Sequence, residues 1–329
     1  MNHNPAGRVH GGNDAGVVQV ISPHTEQLVA EVEAATPEDV RAAVASARVA
    51  FDSGPWGRSE PSERIAAMRR LADIYDQHRD KMAATITAEI GAPVSFAQRA
   101  QVGLPALMIR AFCELAEKHE WQQTRAGFFG SDVQVRKEPV GVVAAIVPWN
   151  MPQFLIVTKL IPALLAGCTV VLKPAPESPL DALLLSEMLA EIGLPEGVVS
   201  LVIGGSSVGQ ALVADAGVDK VSFTGSTQAG RAVAAACATN LTKVSLELGG
   251  KSAAVILDDA APDKVAAGIR SASLSNSGQI CNALTRVLVP QSRHDEYVDA
   301  LAAEMTAMTV GDPGDADTQM GPLVSQRQQ

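Results

Sequence analysis

From Gly141 to Leu248, apolar runs of strand length alternate with runs of helical length, and this texture restricts the possible folds more than any other feature of the chain. Val142 to Val147, Thr169 to Leu172, Val198 to Ile203, Val218 to Phe223 and Val244 to Leu248 read as strands. Phe154 to Ala166, Leu180 to Ile192, Val208 to Asp215 and Gly230 to Ala238 read as the helices between them. Repeated strand–helix–strand units predict a buried parallel sheet with helices on both faces. Such sheets bind ligands beyond the carboxyl ends of their strands. Polar and glycine residues collect at those ends: Pro148-Trp149-Asn150, Lys173-Pro174, Gly204-Gly205, Thr224-Gly225-Ser226, and Glu247 with Gly249-Gly250.

The flanking sequence is organised differently. Residues 1–16 are polar and Gly-rich and read as a flexible arm without the apolar centre of a signal peptide. Val17 to Ile21 and Leu28 to Val32 read as short strands around a turn. Thr36 followed by Pro37 and the acidic pair Glu38-Asp39 marks a capped helix start. Helical spacing continues over 62–80 and 81–90, and again from about Ala97 to Lys118 with a kink expected near Pro105. Residues 119–139, with Gly127-Phe128-Phe129-Gly130 at their centre, read as a protruding hairpin. Past Lys251 the pattern predicts a strand at 253–257, a helix at 262–275, a strand at 286–289 and a helix at 294–308, with no further element after Gly311. The expected fold class is therefore α/β: a Rossmann-like parallel sheet domain from 17–118 and 140–250, the hairpin, and a second, incomplete α/β domain at 251–329.

The 26 Lys and Arg against 36 Asp and Glu give a net charge of −10, which repels polyanions and argues against nucleic acid as a partner. The longest apolar stretch, Leu160 to Leu172, contains Pro162 and is too short to span a bilayer, so a cytoplasmic protein is expected. Cys113, Cys168, Cys237 and Cys281 show neither CxxC spacing nor clustering with His, which disfavours zinc and a disulfide framework. Cys113, Cys168 and Cys237 lie among small and apolar residues and read as buried hydrophobes.

Cys281 differs. It sits in Ser-Asn-Ser-Gly-Gln-Ile-Cys, flanked by small and polar residues that leave a thiol approachable, although taken alone an isolated thiol is more often inert than catalytic. Glu247 stands beside two glycines that permit close backbone approach, and it is a plausible base for a second chemical step. Asn150 is suited either to donate to a developing oxyanion or simply to cap the following helix. The Gly225–Gly230 turn between a strand and a helix suits a phosphate, and equally a tight connection. Lys173 at a strand end suits ribose hydroxyls or phosphate, and equally plain solvation.

Five segments together resemble the aldehyde dehydrogenase superfamily: PWNMP (148–152), LKPAPESPL (172–180), FTGSTQAG (223–230), LELGGK (246–251) and SGQICNALTR (277–286). The resemblance runs over about 17–329. It implies that a Cys281 thiolate attacks an aldehyde, that Asn150 and the Cys281 backbone amide hold the oxyanion, and that Glu247 activates water to hydrolyse the resulting thioester. A glutamate at that position argues against the coenzyme-A-acylating branch. The resemblance further implies a coenzyme site of Ile146, Pro148, Trp149, Lys173, Gly209, Phe223, Thr224, Gly225, Ser226, Gly230, Leu248 and Gly249, with no metal. NAD is the expected coenzyme and NADP the alternative, because Pro176 stands where the family often has a ribose-binding glutamate. Met151, Leu155 and Thr158 are implied to line an aldehyde tunnel. The hairpin at 119–139 is expected to serve oligomerisation, and a homo-oligomer is expected of the full-length enzyme. Family members extend well beyond Gln329, so the chain is expected to be C-terminally incomplete. The alternative expectation is an inactive, nucleotide-binding fragment of such an enzyme. A thiol esterase without redox chemistry is disfavoured by the strand-end phosphate turn.

Overall fold

The structure, a computed structural model, describes residues 16–329 and the backbone of residues 7–10. Strand β1 (Gly7–His10) is followed by the antiparallel pair β2 (Val17–Ile21) and β3 (Leu28–Glu33). Helix α1 (Pro37–Asp52) begins where its sequence dictates: the Thr36 hydroxyl accepts from Asp39 N–H at 3.1 Å and the Asp39 carboxylate accepts from Thr36 N–H at 2.8 Å, a reciprocal capping box. Helices α2 (Pro61–Gln77) and α3 (Arg79–Ile90) follow, and α3 ends on Gly91 in the left-handed conformation at φ 69°. A one-turn helix α4 (Val94–Phe96) leads into a π-helical segment, Ala97–Gly103, and then α5 (Leu104–Lys118). The irregularity expected at Pro105 thus lies before it, as the π-helical segment, and the proline itself sits in the first turn of α5.

After the hairpin β4 (Gln122–Ala126) and β5 (Asp132–Arg136), the strand–helix repeat appears as read from the sequence. It comprises β6 (Val142–Ile146), α6 (Pro152–Leu165), β7 (Thr169–Lys173), α7 (Leu180–Glu191), β8 (Val199–Val202), α8 (Ser206–Ala214), β9 (Lys220–Gly225), α9 (Thr227–Thr239) and β10 (Lys243–Leu248). All pairings are parallel, in the order β1-β8-β7-β6-β9-β10. Each residue of β6 is buried, and its side chains alternate between two cores. Val143 and Ala145 join the cluster formed with α2, α3, α5, α6 and α7, while Val142, Ala144 and Ile146 join the one formed with α1, α8 and α9. The chain runs from β6 outward through β7 and β8 on one side and resumes at β9 and β10 on the other. The topological switch point therefore falls between β6 and β9.

The reading of residues 1–16 as a flexible arm is corrected at Gly7–His10, which pair in register with Val199–Val202 as the sixth strand. Its sequence, Gly-Arg-Val-His, carries no apolar run. What recruits it is the unpaired main-chain edge of β8, an interaction that side-chain pattern does not report. The rest of the arm, 1–6 and 11–15, lies outside the described residues.

In the last part of the chain, β11 (Ala253–Val255) pairs in parallel with β12 (Arg286–Leu288), and α10 (Pro262–Ser273) and α11 (His294–Thr306) are adjacent. The tail read as structureless does more than expected: Val310 bridges to Met320, and Val324 is buried in the larger core.

Candidate active site

Among the described residues, the turn before Cys281 holds the only two consecutive non-glycine residues with positive φ. Asn276, Ser277 and Gly278 take φ of 53°, 56° and 76° in succession, a left-handed turn outside helical geometry. Each of the two non-glycine residues costs about 1–2 kcal/mol in this region, so neighbouring contacts must hold it. They do. Ser277 Oγ donates to the Gly321 carbonyl at 2.8 Å, Gln279 Nε2 donates to the Asn276 carbonyl at 3.1 Å, and Val324 N–H donates to Gln279 Oε1 at 3.0 Å. Cys281 emerges from this turn as the exposed member of four free cysteines; the other three are buried.

The turn is tied to the switch point through Asn150. Asn150 Nδ2 donates to the Gln279 carbonyl at 2.9 Å, two residues before Cys281. The Asn150 carbonyl accepts from Asn276 Nδ2 at 2.9 Å and from Gln101 Nε2 at 2.8 Å. Asn276 and Gln101 are 2% and 0% exposed, so these bonds lie out of competition with water. Sequence reasoning missed Gln101, Asn276 and Gln279: each acts across a long chain separation, and only the proximity of the last two to Cys281 offered a hint.

Glu247 stands exposed near the end of β10, beside Thr224 of β9. Its neighbour is a residue absent from the sequence reading, Lys159 of α6. Burial pushes the Lys159 ammonium down to about 8, and the opposing influence is the charge of Glu247, with Lys220 adding to the depression. Lys159 Nζ also donates to Ser222 Oγ at 3.2 Å, on the β9 face that carries Thr224. A helix lysine ordinarily reads as solvated, and nothing in the residues around Lys159 marks it as different.

The expected coenzyme residues follow the same sheet edge. Burial of Lys173, at the end of β7, pushes its ammonium down to about 8 against the pull of Glu177, and Nζ has the Pro174 carbonyl as a partner at 3.0 Å. A Cβ on Gly209 would lie 3.5 Å from Lys173 Cε, so the start of α8 and this lysine are in contact distance. Ser226 caps α9 by accepting from Ala229 N–H at 3.1 Å. A Cβ on Gly230 would approach Leu248 Cδ2 to 2.5 Å; glycine there lets α9 close onto the end of β10. Thr224 is 6% exposed with its hydroxyl unpartnered among the described residues, while Gly249 has open space around its Cβ position. Ile146 and Phe223 belong to the core beneath this edge, with Leu248 packed against it, and Pro148 and Trp149 are half-buried at the end of β6. An orphaned hydroxyl, a buried lysine and a capped helix N-terminus along one sheet edge fit a dinucleotide.

A cavity of about 540 Å³ shares Asn276 with the turn and is otherwise lined by residues such as Arg99, Arg270 and Glu304; none of the site residues expected from the sequence lines it.

The chain's sequence matches the model of the aldehyde dehydrogenase family over residues 10–329. The chain belongs to the aldehyde dehydrogenase family. Geranial dehydrogenase of Castellaniella defragrans is 42% identical over 306 residues, covering 93% of this chain and 64% of the relative. Phenylacetaldehyde dehydrogenase of Pseudomonas fluorescens is 40% identical, with 94% and 63% covered. Among solved structures, a Mycobacterium tuberculosis aldehyde dehydrogenase complexed with NAD+ aligns with a TM-score of 0.94 at 43% identity, covering 97% of this chain and 65% of that one. A mutant aldehyde dehydrogenase C of Pseudomonas syringae, complexed with NAD+ and octanal, aligns at 0.92 and 37% identity, with 96% and 64% covered. The chain thus spans just under two thirds of the length of these family members.

Proposed function

We propose that this protein oxidises an uncharged aldehyde to a carboxylic acid, with NAD+ as acceptor, through a thioester on Cys281. The observation that carries the reading is the hydrogen bond from Asn150 to the Gln279 carbonyl, which ties the switch point of the sheet to the segment bearing the one exposed thiol. The Cys281 thiolate adds to the aldehyde carbon, forming a C–S bond and leaving an oxyanion. An amide has two donor hydrogens; Asn150 uses one on Gln279 and has the second for that oxyanion, beside the Cys281 N–H. Lys173, the Thr224–Ser226 turn and Gly249 would hold NAD+, which would supply the hydride acceptor for oxidation at the substrate carbon. Glu247 then takes a proton from water as the oxygen adds to the thioester, and the carboxylic acid departs as the thiol is restored. Lys159 sits where it senses the charge of Glu247.

Met151 and Leu155, partly buried against the larger core as Ile280 is, give the aldehyde side an apolar character. In this reading residues 17–118 and 140–250 bind coenzyme and 251–329 belong to the catalytic domain. The hairpin tip, where Phe128 and Phe129 are 97% and 93% exposed, meets another subunit in a homo-oligomer. The cytoplasm remains the expected compartment, and four free cysteines suit it.

A second reading, a nucleotide-binding chain without turnover, is favoured by one observation: Val255 is 68% and Leu288 49% exposed on a sheet of two parallel strands, and Leu257, just past β11, is 68% exposed. One experiment separates the two. NADH formation from a panel of aldehydes, abolished by Cys281→Ala and reduced to a single stoichiometric burst by Glu247→Gln, supports the enzyme. NAD+ binding without turnover in a folded sample supports the alternative.

A further inference from the structure

Two carboxyl groups lie in the interior with no part in the chemistry above. Glu89, in the last turn of α3, is 1% exposed, and Asp181, in the first turn of α7, is 0% exposed. Helix α7 starts after Pro179 with no side-chain cap of its own. Glu89 takes over that task from another helix: its two oxygens accept from Leu180 N–H at 2.9 Å and Asp181 N–H at 3.1 Å. Asp181 in turn receives Gln153. Gln153 Nε2 donates to Asp181 Oδ2 at 2.6 Å and to the Asp181 carbonyl at 3.1 Å, and Gln153 is itself 0% exposed. It stands in the first turn of α6, whose N-cap Met151 supplies no capping side chain, and Asn150 precedes that N-cap directly.

We propose that Glu89, Asp181 and Gln153 form a relay of positioning residues that fixes the start of α6 and thereby holds the Asn150 amide against the Cys281 turn. The proposal rests on reading Asn150 as the oxyanion donor. Leucine at 153 and 181 would fill comparable space without desolvating a carboxylate, so stability alone does not call for this set. What it adds is direction: a short, charge-assisted bond restricts the α6 terminus in a way apolar contact does not. Burial pushes both carboxyls up, Glu89 strongly and Asp181 to about 6, with the bonds from Gln153 and Glu89 opposing the rise at Asp181. After burial itself, the charge of Asp181 is the largest influence raising Glu89 within the pair. The other titratable group against it is Tyr75 of α2, whose buried hydroxyl is pushed up by burial and then by Asp181, with Arg79 and Asp76 beyond it. Below pH about 6 Asp181 takes a proton, the acceptor of Gln153 becomes neutral, and the hold on α6 weakens.

The test uses Gln153→Leu, Asp181→Asn and the reversed pair Gln153→Glu with Asp181→Asn, in which a carboxylate on α6 accepts from an amide on α7. Gln153→Leu is expected to lower kcat about 10- to 100-fold with the aldehyde KM little changed, and the reversed pair to recover most of the loss. Asp181→Asn is expected to remove the acid limb of kcat near pH 6. Independently of turnover, Gln153→Leu and Asn150→Ala should both raise the rate of Cys281 alkylation by iodoacetamide several-fold, because each frees the Gln279 turn. A folded Gln153→Leu protein with unchanged alkylation and unchanged kcat overturns the proposal. Should Gln153→Leu fail to fold, an acid limb that persists in Asp181→Asn overturns it instead. If the unsubstituted protein reduces no NAD+ with any aldehyde while Gln153→Leu still speeds alkylation, the relay stands and the dehydrogenase reading falls.

Discussion

Replacing Lys173 by methionine should make the protein more stable and a poorer binder of coenzyme, and the size of the first effect follows from burial. Lys173 is 5% exposed, and burial lowers its ammonium from an ordinary 10.5 to about 8 despite Glu177 nearby. That gap corresponds to about 3 kcal/mol of disfavour for the charged form in the folded protein. Below pH about 8 both folded and unfolded chains carry the proton, and the folded state bears the whole penalty. Between about 8 and 10.5 the unfolded chain binds a proton that the folded one lacks, so stability rises with pH; above 10.5 the penalty is gone. Methionine keeps most of the apolar stem and carries no charge. Lys173→Met should therefore gain up to about 3 kcal/mol in urea unfolding at neutral pH and lose that advantage toward pH 10.5. NAD+ affinity, followed by calorimetry, should fall by about 1.5–3 kcal/mol, or ten- to a hundredfold, the worth of a hydrogen bond from a charged donor. A variant that is less stable at neutral pH, or one that binds NAD+ unchanged, would refute the reasoning.

The other expectations are more local. Gly230→Ala drives a methyl to 2.5 Å from Leu248 Cδ2, and the overpacking should destabilise the protein by about 1–3 kcal/mol in denaturant unfolding while weakening NAD+ binding at the same turn. Asn276→Ala removes the donor to the Asn150 carbonyl and places a residue ill-suited to φ 53° in the turn; a loss of about 1–3 kcal/mol is expected, with faster Cys281 alkylation as the second readout. Phe128→Asp with Phe129→Asp alters two rings that are almost wholly exposed, so monomer stability should stay within about 0.5 kcal/mol, while sedimentation should show a smaller assembly.

The sheet was legible because its determinants are local. Runs such as Val142–Ile146 and Thr169–Lys173 are apolar throughout, glycines and prolines interrupt them at the right intervals, and Thr36 with Asp39 announces a helix start by a three-residue rule. Strand Gly7–His10 was illegible for the opposite reason: its partner is Val199–Val202, and main-chain pairing leaves no pattern in Arg8 or His10. The seven-residue π-helix before Pro105 also escaped notice, although it is what carries Gln101 to the Asn150 carbonyl. In the site, the residues with a chemical signature, Cys281, Glu247 and Asn150, stand out in sequence. Those around them, Gln101, Asn276 and Gln279 bonded to or near Asn150 and Lys159 under the charge of Glu247, are unremarkable polar residues until the fold brings them together.

The geometry of Asn150 bears on two readings that its sequence left open. A capping asparagine would stand at the N-cap of α6 and turn its oxygen toward the first free N–H groups of that helix. Met151 occupies the N-cap instead, without a side-chain cap, and the Asn150 amide nitrogen is bonded to Gln279 on the Cys281 turn. Its Oδ1 is buried with no hydrogen-bond partner among the described residues, a loss of about 1–3 kcal/mol that a capping role would have avoided. Ser277, beside the Asn276 that donates to the Asn150 carbonyl, spends a further 1–2 kcal/mol or so in left-handed backbone. Unfavourable terms of this kind, gathered on both partners of one contact and braced by Gln101 and the Gly321–Val324 segment, are not accounted for by a helix cap and accord with the donor role proposed for Asn150.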